Sequence, residues 1–247
     1  MIKLLALREL RALFSTPSTW LILAALQFIF AWFFLARLDA YLELQPQFAQ
    51  LANAPGATAS VAAPVFNVMA LLLMMLIPLF TMRSIAEERR NQTLTLLLSS
   101  PLSSAQIVLG KFLGLMLFLI VLMVSAPLMI YTLQLGTPLD HGLLWSNVLG
   151  LLLLSASYSA LGLYMSSLTN QPVIAALSAL AVLVGLWLAD ISSSAPDSPW
   201  HDFSPLYHFQ NFNVGLLDSG DAVYFLTFTG VFLLLAMRRL NNNRAYG

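Results

Sequence analysis

The sequence predicts an all-α, polytopic membrane protein with six transmembrane helices in a single domain, residues 1–247, and three observations carry that expectation. Of 247 residues 59% are hydrophobic and 9% charged, with a mean hydropathy of +0.82, far too little charge to cover a soluble surface of this size. Six apolar stretches approach the roughly 20 helical residues that a hydrocarbon core about 30 Å thick requires. In a six-span arrangement Lys3, Arg8, Arg11, Arg83, Arg89, Arg90, Lys111, Arg238, Arg239 and Arg244 fall on one side and Arg37 alone on the other, which the positive-inside rule reads as both termini cytoplasmic.

In chain order, residues 1–15 set Ile2, Ala6, Leu10 and Leu13 on one side and Arg8 and Arg11 on the other, with Lys3 near the start. That pattern predicts an interfacial amphipathic helix, or else the frayed start of the first span; Thr16-Pro17-Ser18, a break and restart, favours the separate helix. The spans are expected at Thr19–Ala36, Val65–Met82, Phe112–Leu133, Leu143–Leu168, Val173–Ala189 and Ala222–Met237. The last is short, so Arg238 is expected to snorkel or the outer end to be shielded by other helices. No small-residue cleavage pattern follows the first span and five more spans come after it, so it is read as a retained anchor rather than a signal peptide.

The outer loops differ in character. Residues 38–64 are polar, then rich in Ala and Pro, with Tyr41, Leu42, Leu44 and Phe48 suited to the membrane surface. Residues 135–142 form a short turn. Residues 190–221 open with Ser192-Ser193-Ser194-Ala195-Pro196 and continue with Trp200, Phe203, Tyr207, Phe209 and Phe212, the composition of interfacial or re-entrant helices before the last span.

One polar stretch interrupts the apolar chain on the basic side. Ser84 with Glu87 three residues on predicts a helix start. Glu87, Glu88, Arg89 and Arg90 then point in all directions around one turn, so that turn must meet water or protein. Leu94, Leu97 and Leu98 form a stripe, Ser99-Ser100-Pro101 breaks the helix, and Ser103 with Gln106 predicts a second start. By pattern alone this elbow, residues 84–104, is equally a docking surface for a soluble partner and a plain topology loop.

Several chemistries are absent. There is no Gly-x-x-x-x-Gly-Lys-Ser/Thr loop, so the chain has no phosphate cradle for ATP hydrolysis. No expected span carries an ionisable residue in its interior, which disfavours a self-sufficient ion-coupled transporter or channel. Ser155, Ser157, Ser159, Ser166 and Ser167 have no base at their depth, so no catalytic residue is expected; Ser155/Ser159 and Ala156/Ala160 read as small-xxx-small packing pairs. Gly110 and Gly114 mark either a close helix contact or a local break beside Lys111. His141, His201 and His208 match no metal-ligand spacing, and there is no basic patch for nucleic acid.

Glu87-Glu88-Arg89, Thr93-Leu94 through Leu98, Ser100-Pro101, Ile107 and Gly110-Lys111 together resemble the signature of ABC type-2 permeases, the membrane subunits of type V ABC transporters. Ser204-Pro205-Leu206, His208-Phe209, Phe212, Gly215, Asp218, Asp221 and Tyr224-Phe225 are similar to the permeases of gliding motility and nitrous-oxide-reductase maturation. The resemblance implies an exporter subunit of the bacterial inner membrane. It would pair with a second copy or homologue and with two cytoplasmic ATP-binding cassette ATPases, which would hold the ATP and magnesium, with room for a periplasmic or membrane accessory protein. It also implies an ATPase-coupling surface made by Glu87, Glu88, Arg89, Arg90, Thr93, Leu94, Leu97 and Pro101 together with the interfacial helix of Lys3, Arg8 and Arg11. The alternative within the same resemblance is an ATPase-driven mechanical or assembly subunit that moves no solute.

The basic-residue asymmetry makes a direct topology prediction. Cysteines introduced at Ser60, Gly136 and Ser194 label from outside intact cells, and those at Asn91 and Asn242 do not; external labelling at Asn91 contradicts the six-span arrangement.

Overall fold

The computed structural model of the chain describes residues 2–48, 56–93, 102–192 and 201–245. These residues are helical and joined by short turns, with no strand among them, and six helical stretches are long and apolar enough to cross a membrane. Helix α1 (Ile2–Ser15) stops where expected and α2 (Pro17–Phe48) restarts one residue later. The Thr16 carbonyl accepts the Thr19 N–H at 3.1 Å, and Pro17 occupies a first-turn position that needs no N–H partner.

A π-helical turn, Thr58–Ala62, leads into α3 (Ala63–Arg90). Next comes α4 (Ser104–Met123), which starts with the expected capping box: Ser103 Oγ accepts from Gln106 N at 3.2 Å, and Gln106 Oε1 accepts from Ser103 N at 3.1 Å. A short α5 (Ser125–Tyr131) follows because the Pro127 ring clashes with the Met123 carbonyl and lacks an N–H. The Leu122 carbonyl beside this interruption accepts from Ser125 Oγ at 3.1 Å and from Gln27 Nε2 of α2 at 3.3 Å, as an interrupted membrane helix requires. The remaining helices are α6 (His141–Leu168), capped by Asp140 Oδ1 on Leu143 N, α7 (Pro172–Ser192), the short α8 (Pro205–Asn213) and α9 (Ser219–Ala245).

More than half of the apolar window of α3, α4–α5 and α6 is buried inside the chain, against 17–22% for α2, α7 and α9. The centre is thus a three-helix core wrapped by peripheral spans, filled by fully buried Phe66, Phe118, Tyr158, Phe209, Phe212 and Phe225. Helix α6 lies deepest because its surface is small: Ser155, Ser159 and Ala160 are inaccessible, and a Cβ on Gly162 would collide with Thr81 of α3. At the end opposite the basic residues, the acidic end with Asp140, Asp190, Asp202, Asp218 and Asp221, α8 packs into α6, with Ser146 Oγ donating to the Phe212 carbonyl at 2.8 Å and Gly150 leaving room for the Phe212 ring.

Three expectations are corrected. No helix starts at Ser84: α3 runs through it without interruption, because the Ser-x-x-Glu pattern is local and the turns before it are already helical. The helix ends at Arg90, with Gln92 in the left-handed region at φ 57°, earlier than the expected break; the Leu94 stripe and Pro101 lie outside the described residues. The last span is not short. It extends over Ser219–Asn242, with Asp221, which ends the apolar stretch, held in its first turn by contacts to His208 Nδ1 at 2.5 Å and Asn211 Nδ2 at 2.8 Å.

Gly110 and Gly114 do make a close contact. Helix α4 continues straight through both, and α1 lies in the notch they leave: an added Cβ would sit 2.7 Å from Leu5 Cβ at Gly110, and 2.7 Å from Glu9 Cβ and 2.8 Å from the Ala6 carbonyl at Gly114. Gly114→Ala is therefore expected to destabilise by about 1–3 kcal/mol through overpacking. Gly185→Ala on α7, where a Cβ meets nothing within 4 Å, is expected to be neutral or slightly stabilising. Thermal midpoints of the purified variants compare the two; equal midpoints contradict the α1–α4 packing.

Candidate functional site

The charged residues of the elbow, α1 and the start of α4 come together at the basic end of the bundle, around Lys111. Lys111 is 4% exposed, in the second turn of α4 beside the glycine notch. Its ammonium donates to Glu9 Oε1 of α1 at 3.2 Å and, on α3, to Glu88 Oε1 at 2.7 Å and the Ser84 carbonyl at 2.7 Å. Three N–H donors thus have three acceptors, which is what a nearly dehydrated ammonium needs. Ser84 Oγ adds a bond to the same Glu9 oxygen at 3.1 Å, so the serine expected to cap a helix instead ties α3 to α1.

A second tie fixes the end of α3 from the other side. Ser166 of α6 sets its hydroxyl into the backbone of α3, accepting from Ile85 N at 3.1 Å and Ala86 N at 3.0 Å and donating to the Met82 carbonyl at 3.0 Å. A side chain inserted into a helical ladder locally redirects it. This one sits four residues beyond Pro78, which already removes an N–H from α3. The charged last turn of α3 is therefore aimed by α6 and held by α1 and α4.

The expected coupling residues divide accordingly. Glu88 faces inward to Lys111, so it is spoken for within the chain. Glu87, Arg90 and Thr93 are exposed. Arg89 is half-buried and close enough to Arg239 of α9 to feel its charge, and neither arginine has an ion-pair partner among the described residues. Leu94, Leu97 and Pro101 lie outside the described residues. On α1, Lys3, Arg8 and Arg11 are exposed while Ala6 is buried, so the helix is amphipathic but rests on α4. Sequence reasoning missed Glu9 and Ser166. Glu9 was detectable as the only acid in a basic helix, spaced three residues from Ala6 and four from Leu13 on the buried stripe. Ser166 carried no comparable signal.

The histidines sit at the acidic end. His201 Nδ1 lies 2.5 Å from Asp190 Oδ1, with its ring stacked on Tyr207; His208 pairs with Asp221 and stacks on Tyr224 at 3.9 Å. Each pair pins a neighbouring segment, and no group of three metal-ligating side chains occurs among the described residues.

The comparison with known families covers nearly all of this architecture. Residues 4–238 match the model of the ABC-2 family transporter protein, from the first turn of α1 into the last turns of α9. No curated protein matches the chain. With six membrane-spanning helices and a family match over almost its full length, the chain belongs to the ABC-2 transporter family, as a multi-pass permease component of an ATP-binding cassette transporter.

Proposed function

We propose that this chain is the membrane half of a type V exporter of the bacterial inner membrane, in which ATP hydrolysis on a separate cytoplasmic ATPase drives export through a dimer of permeases. The observation that carries this reading is the Lys111 junction. It makes α1, the end of α3 and the start of α4 one body at the basic end, and leaves Glu87, Arg90, Thr93 and the Arg89–Arg239 pair on its surface. Arg89 and Arg239, which have no ion-pair partner among the described residues, suit an acidic group on the ATPase, and a push on any of the three helices reaches the other two. With the basic end cytoplasmic, both termini are cytoplasmic as well.

ATP and magnesium belong to the ATPase, and this chain holds no cofactor of its own. The elbow residues Leu94, Leu97 and Pro101 would complete the docking surface beyond the exposed charges. Because aromatic side chains fill the centre of the bundle, a solute path would run between two copies or between this chain and a homologue, along the weakly buried faces of α2, α7 or α9. The same junction would equally transmit force without a solute, as expected for a gliding-motility-like or metalloenzyme-maturation-like assembly subunit. Flux in liposomes separates the two.

Purified alone, the protein is expected to show no ATPase activity; with its ATPase it forms a complex of two permeases and two ATPases. A transport-competent particle without an ATPase refutes the reading. Within the complex, Glu87→Lys with Arg90→Glu is expected to weaken ATPase binding by about 2–5 kcal/mol if either charge is desolvated at the interface. Glu88 is a poor probe of docking because its reversal sets two cations against each other at Lys111. Unchanged binding in the Glu87/Arg90 reversal shows that these charges are only topology markers.

Lys111→Met probes the junction itself. It leaves Glu9 and Glu88 facing each other unpaired and is expected to cost about 3 kcal/mol, against less than about 0.5 kcal/mol for the exposed Arg11→Ala. Thermal unfolding of the isolated permease compares them, and similar midpoints contradict a structural role for the ammonium.

A further inference from the structure

At the basic end α2 stands away from α3, and a cleft of about 490 Å³ opens between α1, α2 and α3 over Lys111 and Leu115 of α4. Its inner wall is apolar, with Ile22, Leu79 and Phe80; its rim carries Arg8 from α1 and Arg83 and Glu87 from α3. A greasy wall beneath a charged rim, at the end of membrane-spanning helices, has the layout of an amphiphile site, and its volume falls within the range of ligand pockets. Arg8 and Arg83 are exposed and make no hydrogen bond or ion pair among the described residues, in contrast to the fully partnered Lys111 below them. Two free guanidinium groups on opposite sides of one cleft are suited to bind a phosphate by paired N–H bonds.

The charge balance narrows the ligand. Arg8 and Arg83 contribute two positive charges; Glu87 contributes one negative charge and the Glu9–Lys111–Glu88 group one more, so the cleft sums to zero. A net anionic headgroup would leave a charge unmatched, whereas a zwitterion matches both signs. We propose that the cleft binds a zwitterionic phospholipid from the surrounding leaflet: the phosphate between Arg8 and Arg83, the ammonium beside Glu87, and one acyl chain against Ile22, Leu79 and Phe80. The lipid fills the gap that the described side chains leave open between α2 and the core. This site requires only that the protein is embedded in a membrane; Glu87 is shared with the proposed docking surface, so lipid retention is read on the permease without its ATPase.

The full chain is extracted from phosphatidylethanolamine/phosphatidylglycerol membranes in mild detergent, and the lipid it retains is counted by native mass spectrometry. Phosphatidylethanolamine is expected to be retained in preference to phosphatidylglycerol. The Arg8→Ala/Arg83→Ala variant is expected to hold it about tenfold less well, the loss of a charge-assisted phosphate contact. Lys3→Ala/Arg11→Ala removes the same charge from α1 away from the cleft and keeps the lipid, while Leu79→Trp, which fills the apolar wall, loses it. Glycerophosphoethanolamine, the same headgroup without chains, fails to displace it. Equal retention by the two charge variants, preference for phosphatidylglycerol, or displacement by the chainless headgroup would each overturn the proposal.

Discussion

An ammonium group that loses nearly all of its water must find a partner for each of its three N–H bonds or cost several kcal/mol. At Lys111 those partners come from two other helices, and the geometry of the basic end follows from that requirement. Helix α1 must lie close enough for Glu9 to reach, which is possible only because Gly110 and Gly114 carry no side chain. Helix α3 must continue past Ser84 to bring Glu88 alongside, which places Glu87, Arg89 and Arg90 at its tip. A lone apolar residue at Lys111 would relieve the electrostatic demand but would leave two acids facing each other.

The opposite end is fastened by neutral and His–Asp contacts rather than by lysine. Ser146 and Asn147 of α6 hold the carbonyls at the end of α8, and Asp221 in the first turn of α9 is shared by His208 and Asn211. Between the two ends lies a packed aromatic and aliphatic core, so neither end moves by compressing the middle. A rigid shift of α1–α3–α4 against α2 is the motion this construction permits, since α2 buries least of its apolar stretch in the chain while α7 packs on α3 and α9 on α6.

What the sequence made legible was local or statistical. The six spans follow from hydropathy, and the Ser103–Gln106 capping box from residues three apart. The Thr16-Pro17 restart likewise needs only neighbouring residues. Helix ends were misjudged wherever a charge was taken as a boundary: Asp221 lies inside α9 and Arg83 inside α3, because partners or the membrane edge accommodate them. Ser84 misled for a related reason, since a capping pattern does not reveal that the turn before it is already helical. The site was legible as a cluster of charges but not as a network. Lys111 meets Glu9 across 102 residues and Ser166 meets Ala86 across 80, and a periodicity or short motif holds no information about pairings at that range. The glycine spacing left a close contact and a local break equally open, and did not name α1 as the helix that fills the notch.

If the ammonium is what joins these helices, it should fix the distance between them. The chain contains no cysteine, so spin labels at Arg11→Cys on α1 and Arg90→Cys at the end of α3 report that distance without further changes. Pulsed electron resonance on the purified permease is expected to give a single narrow distribution in the otherwise native protein, and a broad one extended to longer distances when Lys111→Met is added. An unchanged narrow distribution in the Lys111→Met protein would contradict the account, because α1 would then be held to α3 without the ammonium.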